Sequence, residues 1–270
     1  MKKKVWQHRV TVTIFMMYLA LPLIATFLYS IATSWTKTVL PDGYTFKWYA
    51  ELYGDPRFVE AMTRTFLLTV GSMIVIILVM VPTVFVITVY LPKLERLLKI
   101  IVLMPYAIPG VVAAVGLIRA YAGGTIPMII VVSGAFFVAV LPFMYQGVRN
   151  SLQSVDSVRL MEAAELLGAS RTKAFTRVIL PNIKSGIIVS SILAFSILFG
   201  EFVLTNLLVG GSFETIQIYL FRRMNESGHL SSSVVISYFI VLVILCWCII
   251  RISSKKKQNK RRKSDELLNH

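Results

Sequence analysis

Long apolar stretches separated by short polar segments run through the whole sequence. A helix that crosses a bilayer needs about 20 mostly apolar residues. Six stretches are long enough, at residues 10–31, 65–91, 100–118, 126–148, 185–208 and 232–250. The alternation of apolar and polar positions that is typical of a membrane β-strand is absent from all of them. The pattern therefore predicts an all-α polytopic membrane protein with six transmembrane helices.

The composition agrees with this prediction. Of the 270 residues, 56% are hydrophobic and 15% are charged, whereas an ordinary soluble domain carries roughly 25% charged residues. A water-soluble fold of this length could not bury so much apolar surface. A soluble enzyme, a secreted disulfide scaffold and a disordered chain are therefore excluded.

The positions of the basic residues predict the orientation in the membrane. If both termini are cytoplasmic, 21 of the 28 Lys and Arg residues lie on the inner side and seven on the outer side, while the acidic residues show no bias. Cytoplasmic loops carry such an excess of Lys and Arg. The net charge of +15 is therefore interpreted as an orientation signal and not as a nucleic-acid surface. The basic run at residues 255–263 is interpreted as an anchor that contacts anionic lipid headgroups.

The N-terminus has some features of a signal peptide, because three lysines precede an apolar run. That run exceeds 20 residues, whereas the apolar core of a signal peptide has about 7–15. We therefore expect an uncleaved first helix.

Catalytic and metal-binding patterns do not accompany the predicted helices. The motifs H-E-x-x-H and G-x-S-x-G are absent, and so are paired carboxylates within the spans. Cys246 and Cys248 would point to different sides of a helix, and the three histidines are scattered, so neither a disulfide nor a metal site is expected. A phosphate-binding G-x-x-x-x-G-K-S/T loop is also absent. We expect no enzyme activity, no cofactor and no ATPase site, so any energy must come from a partner.

The inner segment at residues 149–184 is patterned like a pair of short helices. Asp156 can cap the first helix by accepting from its free N–H groups. The apolar positions of this helix fall on one face, at Leu160, Ala164 and Leu167. Gly168 supplies a left-handed stop. Ser170 can cap a second helix that closes at Pro181. The pair forms either a rigid knob or an amphipathic hairpin that rests on headgroups.

A twenty-residue stretch of this segment, EAAELLGASRTKAFTRVILP at residues 162–181, resembles the EAA loop of binding-protein-dependent ABC importer permeases. The family pattern is E-A-A, three residues, G, nine residues, I, one residue, L-P. The chain departs from it only at Val178, which replaces Ile. The matching residues are Glu162, Ala163, Ala164, Gly168, Leu180 and Pro181.

The resemblance implies a fold, a role and partners. The family's loop is a cytoplasmic coupling helix that docks into a separate ATPase subunit, and the six matching residues would form that contact. The implied machine has two ATPase subunits, a second homologous permease and an extracytoplasmic solute-binding protein in a bacterial cell membrane. The implied domains are residues 1–60 with an added first helix and outer loop, a methionine-importer-like core at 61–251 with its coupling loop at 156–181, and a basic cytoplasmic tail at 252–270.

Candidate residues for the solute path lie on the third and fifth predicted spans. Glu201 is the single ionisable residue within a predicted span, and it either lines a cavity and attracts a cation or bonds to a neighbouring helix or outer water. Ser196, Thr205 and Asn206 are further polar candidates on the same span. Tyr106 lies in a proline- and glycine-rich interruption, which indicates either a cavity or a packing kink.

Two further stretches, PDGYTFKWYAEL at residues 41–52 and FGEFVLTNLLVGGSFETIQIYL at 199–220, resemble the spermidine/putrescine permease group. A polyamine would suit the charge of Glu201. The same machine could instead import a phosphonate, iron or another small solute. The outer loops at 32–63 and 210–230 are expected docking surfaces for the binding protein. The alternatives from other classes are a passive channel or facilitator and a membrane-embedded enzyme.

Overall fold

The computed structural model describes residues 2–36, 38 and 40–268, and the side chains among them at 8–36, 38 and 40–251. Within these residues the fold is helical, and the one β-bridge is an isolated pair between Ala32 and Tyr44. The predicted all-α fold class is confirmed. The predicted headgroup contacts of the run at 255–263 lie outside the described side chains. Of the three histidines, His270 lies outside the described residues.

Twelve α-helices follow one another along the described part of the chain. They are α1 (Lys2–Ile31), α2 (Lys47–Gly54), α3 (Pro56–Tyr90), α4 (Glu95–Leu103), α5 (Gly110–Tyr121), α6 (Met128–Ser154), α7 (Ser157–Leu166), α8 (Arg171–Ala174), α9 (Leu180–Phe199), α10 (Val203–Leu208), α11 (Ile216–Arg223) and α12 (Gly228–Leu268).

Five continuous helical segments are long and apolar enough to cross a membrane. They are His8–Ile31, Pro56–Tyr90, Met128–Ser154, Arg171–Phe199 and Gly228–Arg251. A sixth crossing exists if Pro92–Ala107 and Gly110–Tyr121, which meet at 96°, form one broken span. The described residues thus contain five or six membrane helices, in agreement with a polytopic protein.

The predicted third span, residues 100–118, is not one straight helix. The chain leaves α4 through a short 3₁₀ turn at Met104–Ala107, and Ile108 adopts an extended conformation. The residue before a proline disfavours helical geometry, and proline itself has no N–H to donate. Pro105 and Pro109 therefore break the helix, and α5 leaves in a new direction.

The predicted fifth span, residues 185–208, is also interrupted. Helix α9 ends at Phe199 with Gly200 as its C-cap, and α10 begins at Val203. Glycine is a poor helix former, and the Glu201 side chain binds free N–H groups of α10, which stabilises a new helix start. The sequence predicts Glu201 inside a continuous helix, but the residue lies in a break between two helices.

The chain forms two compact units. One comprises Met1–Met62 with Ile216–Val241, and the other Thr63–Thr215 with Leu242–His270. The core of the first unit contains large buried side chains of α2, α3, α11 and α12. They are Leu52, Phe58, Ala61, Ile216, Tyr219, Leu230 and Val234.

A charged cluster stabilises the first unit beside this core. Asp55 accepts hydrogen bonds from the Tyr219 hydroxyl at 2.8 Å and from Arg223 Nη2 at 2.5 Å. Burial alone would raise the pKa of Asp55, but these hydrogen bonds outweigh it and hold the pKa below 3.8. Burial, together with the Asp55 carboxylate, raises the pKa of Tyr219 to about 12.

Replacing this carboxylate is expected to destabilise the first unit at neutral pH. Asp55→Asn leaves Arg223 partly uncompensated and should cost about 1.5–3 kcal/mol, the range for a charged hydrogen bond. The lowered pKa of Asp55 contributes stability above its unfolded value and loses it as pH falls through the folded pKa. The melting temperature of the purified protein measures both effects. The difference from wild type should shrink below pH 3.8.

The matched control is Asp42→Asn. Asp42 is an exposed carboxylate that accepts a hydrogen bond from Ser34 Oγ at 3.0 Å. An equal loss of melting temperature in the two variants would contradict a special role for the cluster.

In the second unit, α6 and α9 pack very closely. A Cβ placed on Gly147 would lie 2.3 Å from Ser190 Cβ, and one placed on Gly186 would lie 1.5 Å from Ser151 Oγ. Small residues at such positions allow two membrane helices to approach backbone to backbone. This contact holds together α6 and α9, the two helices that flank the predicted coupling loop.

Candidate coupling loop and solute cavity

The loop between α6 and α9 begins and turns at the residues that the sequence predicts. Asp156 accepts a hydrogen bond from the N–H of Arg159 at 3.5 Å, and Ser170 accepts one from Lys173 at 3.4 Å. These contacts satisfy free donors in the first turns of α7 and α8. Both predicted caps are therefore confirmed.

Gly168 turns the chain at the tip of the loop. Its φ is +82°, a region that residues with a Cβ rarely adopt. The N–H of Gly168 donates to Glu165 O at 2.9 Å, and the N–H of Ala169 donates to Ala164 O at 3.0 Å. The predicted left-handed stop of α7 is confirmed.

The apolar face of α7 differs from the predicted one. Helix α7 buries Ser157, Met161 and Ala164, while Leu167 is 88% exposed. The prediction that Leu167 shares a face with Ala164 is wrong because the helix ends at Leu166, so helical periodicity no longer places the next side chain. Leu166 is also 88% exposed, and the two leucines form an apolar tip on the loop.

The second limb of the loop is continuous with α9. A π-helical turn at Phe175–Ile179 joins α8 to α9, and the N–H of Leu180 donates to Phe175 O. Pro181, which has no N–H to donate, lies just beyond this π-helical turn. The predicted second helix therefore begins after its cap Ser170 as expected, but its predicted end at Pro181 is wrong, because it continues directly into a membrane helix.

The residues that match the EAA pattern do not all face outward. Glu162, Ala163 and Gly168 are exposed, whereas Ala164 is buried. Farther along the loop, Leu180 is half-buried and Pro181 is exposed.

The loop is held against the end of α3. The Tyr90 hydroxyl donates to Glu165 Oε1 at 3.3 Å, and Arg171 pairs with the same oxygen at 3.4 Å. The Arg171 guanidinium also lies 5.0 Å from the centre of the Tyr90 ring. The tip of the loop is therefore supported on the side of α3 as well as by α6 and α9.

The break between α4 and α5 opens a cavity of about 1140 Å³ in the second unit. Its wall is mainly apolar and is formed by the break, α5, α6 and the segment around α10. Tyr106 and Tyr121 contribute two aromatic rings, and among the described side chains Glu201 is the one charged residue on the wall. The cavity is large enough for a small organic solute.

Glu201 is oriented by the first turn of α10. Its Oε1 accepts from the N–H of Leu204 at 2.7 Å, and its Oε2 accepts from the N–H of Thr205 at 3.0 Å and from Thr205 Oγ1 at 3.1 Å. A carboxylate has about four lone-pair sites, so one remains for a ligand. The Glu201 side chain therefore lies on the cavity wall and also binds the first turn of the helix that follows it.

The other path candidates divide into two groups. Tyr106 lies on the wall, where its hydroxyl donates to Ala139 O at 2.9 Å. Ser196 bonds to Ile192 O at 2.9 Å and does not reach this wall. Thr205 is buried beside Glu201, and Asn206 is half-buried away from the wall. Sequence reasoning missed the backbone donors of α10, although Gly200 before Glu201 was a usable signal for a helix break.

The comparisons with known proteins identify the family. The model of the family described as "Binding-protein-dependent transport system inner membrane component" matches residues 61–261. The putative 2-aminoethylphosphonate transport system permease protein PhnV of Salmonella paratyphi A is 22% identical over 235 residues, which cover 86% of this chain and 87% of that protein.

A second relative matches over a shorter region. The molybdenum transport system permease protein ModB of Escherichia coli K12 is 44% identical over 61 residues, or 23% of this chain. That match spans about a quarter of ModB, 26% of its length.

Solved structures match the fold. A chain of a bacterial ABC transporter involved in the import of the acidic polysaccharide alginate aligns with a TM-score of 0.68 and 17% identity, covering 94% of this chain and 96% of that one. The same comparison with an alginate transporter in complex with its pentasaccharide-bound periplasmic protein gives a TM-score of 0.69.

Proposed function

Because this chain belongs to the family of binding-protein-dependent transport system inner membrane components, and is thus a membrane-embedded permease subunit of an ABC importer, we propose that it forms half of a translocation pathway for a small solute. Two ATPase subunits drive the cycle, and a second homologous permease completes the pathway. An external binding protein docks on the outer loops at 32–63 and 210–230. Both termini face the cytoplasm of a bacterial cell.

The coupling role belongs to the loop at residues 156–181. Support comes from the continuity of this loop with α9 and from its connection to α6 through two residues. A force applied to the loop therefore acts on two membrane helices together. Of the six residues that match the pattern, the ATPase contacts are assigned to the exposed Glu162, Ala163, Gly168 and Pro181, while Ala164 is buried and Leu180 half-buried within the loop. The exposed tip of Leu166 and Leu167 adds an apolar anchor.

The solute carries a primary ammonium group, and a polyamine such as spermidine or putrescine is the first candidate. The observation that supports this assignment is Glu201, the one charged residue on an otherwise apolar wall. A carboxylate in such surroundings attracts a cation more strongly than in water. The rings of Tyr106 and Tyr121 add faces that favour ammonium groups, and the apolar wall suits a methylene chain.

The second candidate is an aminoalkylphosphonate. It is favoured by the aminoethylphosphonate relative, which aligns over 86% of this chain. This solute shares the primary ammonium group with a polyamine and adds an anionic phosphonate. The wall described above offers no cation for that anion, so the second permease or the binding protein would have to supply it.

The solute assignment is tested by uptake of labelled spermidine, putrescine, 2-aminoethylphosphonate and molybdate by the complete complex. Glu201→Gln is expected to raise the concentration for half-maximal polyamine uptake about 10- to 100-fold, because one charged hydrogen bond is worth about 1.5–3 kcal/mol. The control Lys93→Gln removes a charge from an exposed position outside the cavity wall, the coupling loop and the outer loops, and it should leave uptake unchanged.

Uptake of the phosphonate without the polyamines would favour the second candidate. Uptake of molybdate alone, unaffected by Glu201→Gln, would contradict both.

A further inference from the structure

An ion pair joins α6, the helix that leads into the coupling loop, to α4, the helix that leads into the break beside the cavity. Arg149 of α6 donates from Nε to Glu95 of α4, and neither residue belongs to the coupling motif or to the cavity wall. We propose that this pair carries the displacement of the coupling loop to the broken helix beside the solute cavity. The inference rests on the proposed function, because it connects the loop and the cavity that function requires.

Arg149 is placed to follow the loop. It lies near the end of α6, and only Val155 and Asp156 separate that helix from α7. Its Nη1 also donates to Gln153 Oε1 at 3.3 Å, which orients the guanidinium along the last turn of α6. A displacement of the loop therefore moves Arg149 together with the end of α6.

The close packing of α6 on α9 reinforces this movement. Gly186 and Gly147 lie so close to Ser151 and Ser190 that neither position has space for a Cβ. Since α9 is continuous with α8, both limbs of the loop reach one rigid helix pair. Arg149 extends from this pair toward α4.

Glu95 is placed to receive the movement. It occupies the first turn of α4, the helix that packs on α6 and runs into the break at Met104–Ala107. The side chains of Glu95 and Arg149 are 25% and 29% exposed. Because water is partly excluded, their attraction exceeds that of a fully exposed pair.

The other end of α4 is also attached to α6. Tyr106, just past α4, donates its hydroxyl to Ala139 O at 2.9 Å and packs edge to face on Phe143 at 6.2 Å. With the ion pair at the start of α4 and Tyr106 at its end, α4 moves as one body with α6. Without the ion pair, the start of α4 loses this charged contact with α6, and the displacement of α6 reaches the cavity incompletely.

The test is the amount of solute taken up per ATP hydrolysed by the complete complex in proteoliposomes. Glu95→Gln is expected to lower this ratio about tenfold, the size expected for the loss of one charged contact, while ATP hydrolysis continues. Arg149→Glu should lower it further, because two like charges then face each other. The double variant Glu95→Arg with Arg149→Glu should restore most of the ratio.

The control removes an exposed charge from the same helix. Lys99→Gln changes an exposed side chain of α4 that lies outside the cavity wall, the coupling loop and the outer loops. This control should leave both the yield of folded protein and the uptake per ATP unchanged. A purely structural role for Glu95 would lower the yield of the folded Glu95→Gln variant but leave its uptake per ATP at the wild-type value.

The outcomes separate this inference from the proposed function. A wild-type complex without ATP-driven uptake would overturn the proposed function itself. A wild-type complex that transports, with Glu95→Gln at the same uptake per ATP, would overturn only the inference. If the single variants do not assemble, the charge-exchanged pair must restore both assembly and the ratio, and its failure would also overturn the inference.

Discussion

Replacing Leu166 and Leu167 together by serine is expected to detach the ATPase subunits and abolish ATP-driven uptake. Both side chains are 88% exposed at the tip of the coupling loop, so their removal should not disturb the fold of the loop. Full burial of a leucine contributes about 1.5–3 kcal/mol. Loss of both anchors should therefore weaken ATPase binding by about two to four orders of magnitude. Copurification of the ATPase with the permease measures the effect.

The control for this prediction is Leu40→Ser, which replaces an exposed leucine outside the coupling loop. Leu40 is 65% exposed in the outer loop, on the opposite side of the membrane in the predicted topology. It should retain the ATPase. A double serine variant that still copurifies with the ATPase and transports at the wild-type rate would contradict the docking role of the tip.

The second large effect is expected at the contact between α6 and α9. In Gly186→Val, the new side chain has no space, since even a Cβ would lie 1.5 Å from Ser151 Oγ. Overpacking typically costs about 1–3 kcal/mol and more when backbone must move. We expect little folded protein and a lower melting temperature. We also expect loss of coupling between ATP hydrolysis and transport, because the loop joins these two helices.

A milder series makes this prediction quantitative. Gly186→Ala should be destabilising and should be rescued by adding Ser151→Gly, which removes the clashing side chain. The matched control is Gly71→Ala, where no atom lies within 4 Å of the new methyl group. That change should leave stability equal or higher, since alanine favours a helix by about 1 kcal/mol over glycine. Equal losses at positions 186 and 71 would contradict the close-packing account.

Local features of the loop could be predicted because they depend on neighbouring residues only. Asp156 and Ser170 bind N–H groups three residues ahead, and Gly168 adopts a positive φ where α7 ends. Such contacts are encoded within a single turn of chain. The face of Leu167 could not be predicted, because an error of one residue in the helix end changes which way a side chain points.

The membrane helices show the same division. Apolar length predicts where the chain can cross, and Pro105 and Pro109 predict that the third span is interrupted. The prolines do not fix the 96° angle of the break, and the partners of Tyr106, Ala139 and Phe143, are distant in sequence. Likewise, the sequence shows an isolated carboxylate at position 201, but its hydrogen-bond donors could not be predicted from the sequence. The donors of Leu204 and Thr205 become free only because α9 ends at Phe199.

ATP dependence of solute flux tests the central claim most directly. The complete complex, with ATPases, both permeases and binding protein, is placed in proteoliposomes and supplied with labelled spermidine or 2-aminoethylphosphonate. A permease of a binding-protein-dependent importer should accumulate solute only with ATP and the binding protein. Flux of equal rate without ATP would instead indicate a passive channel and would contradict the account.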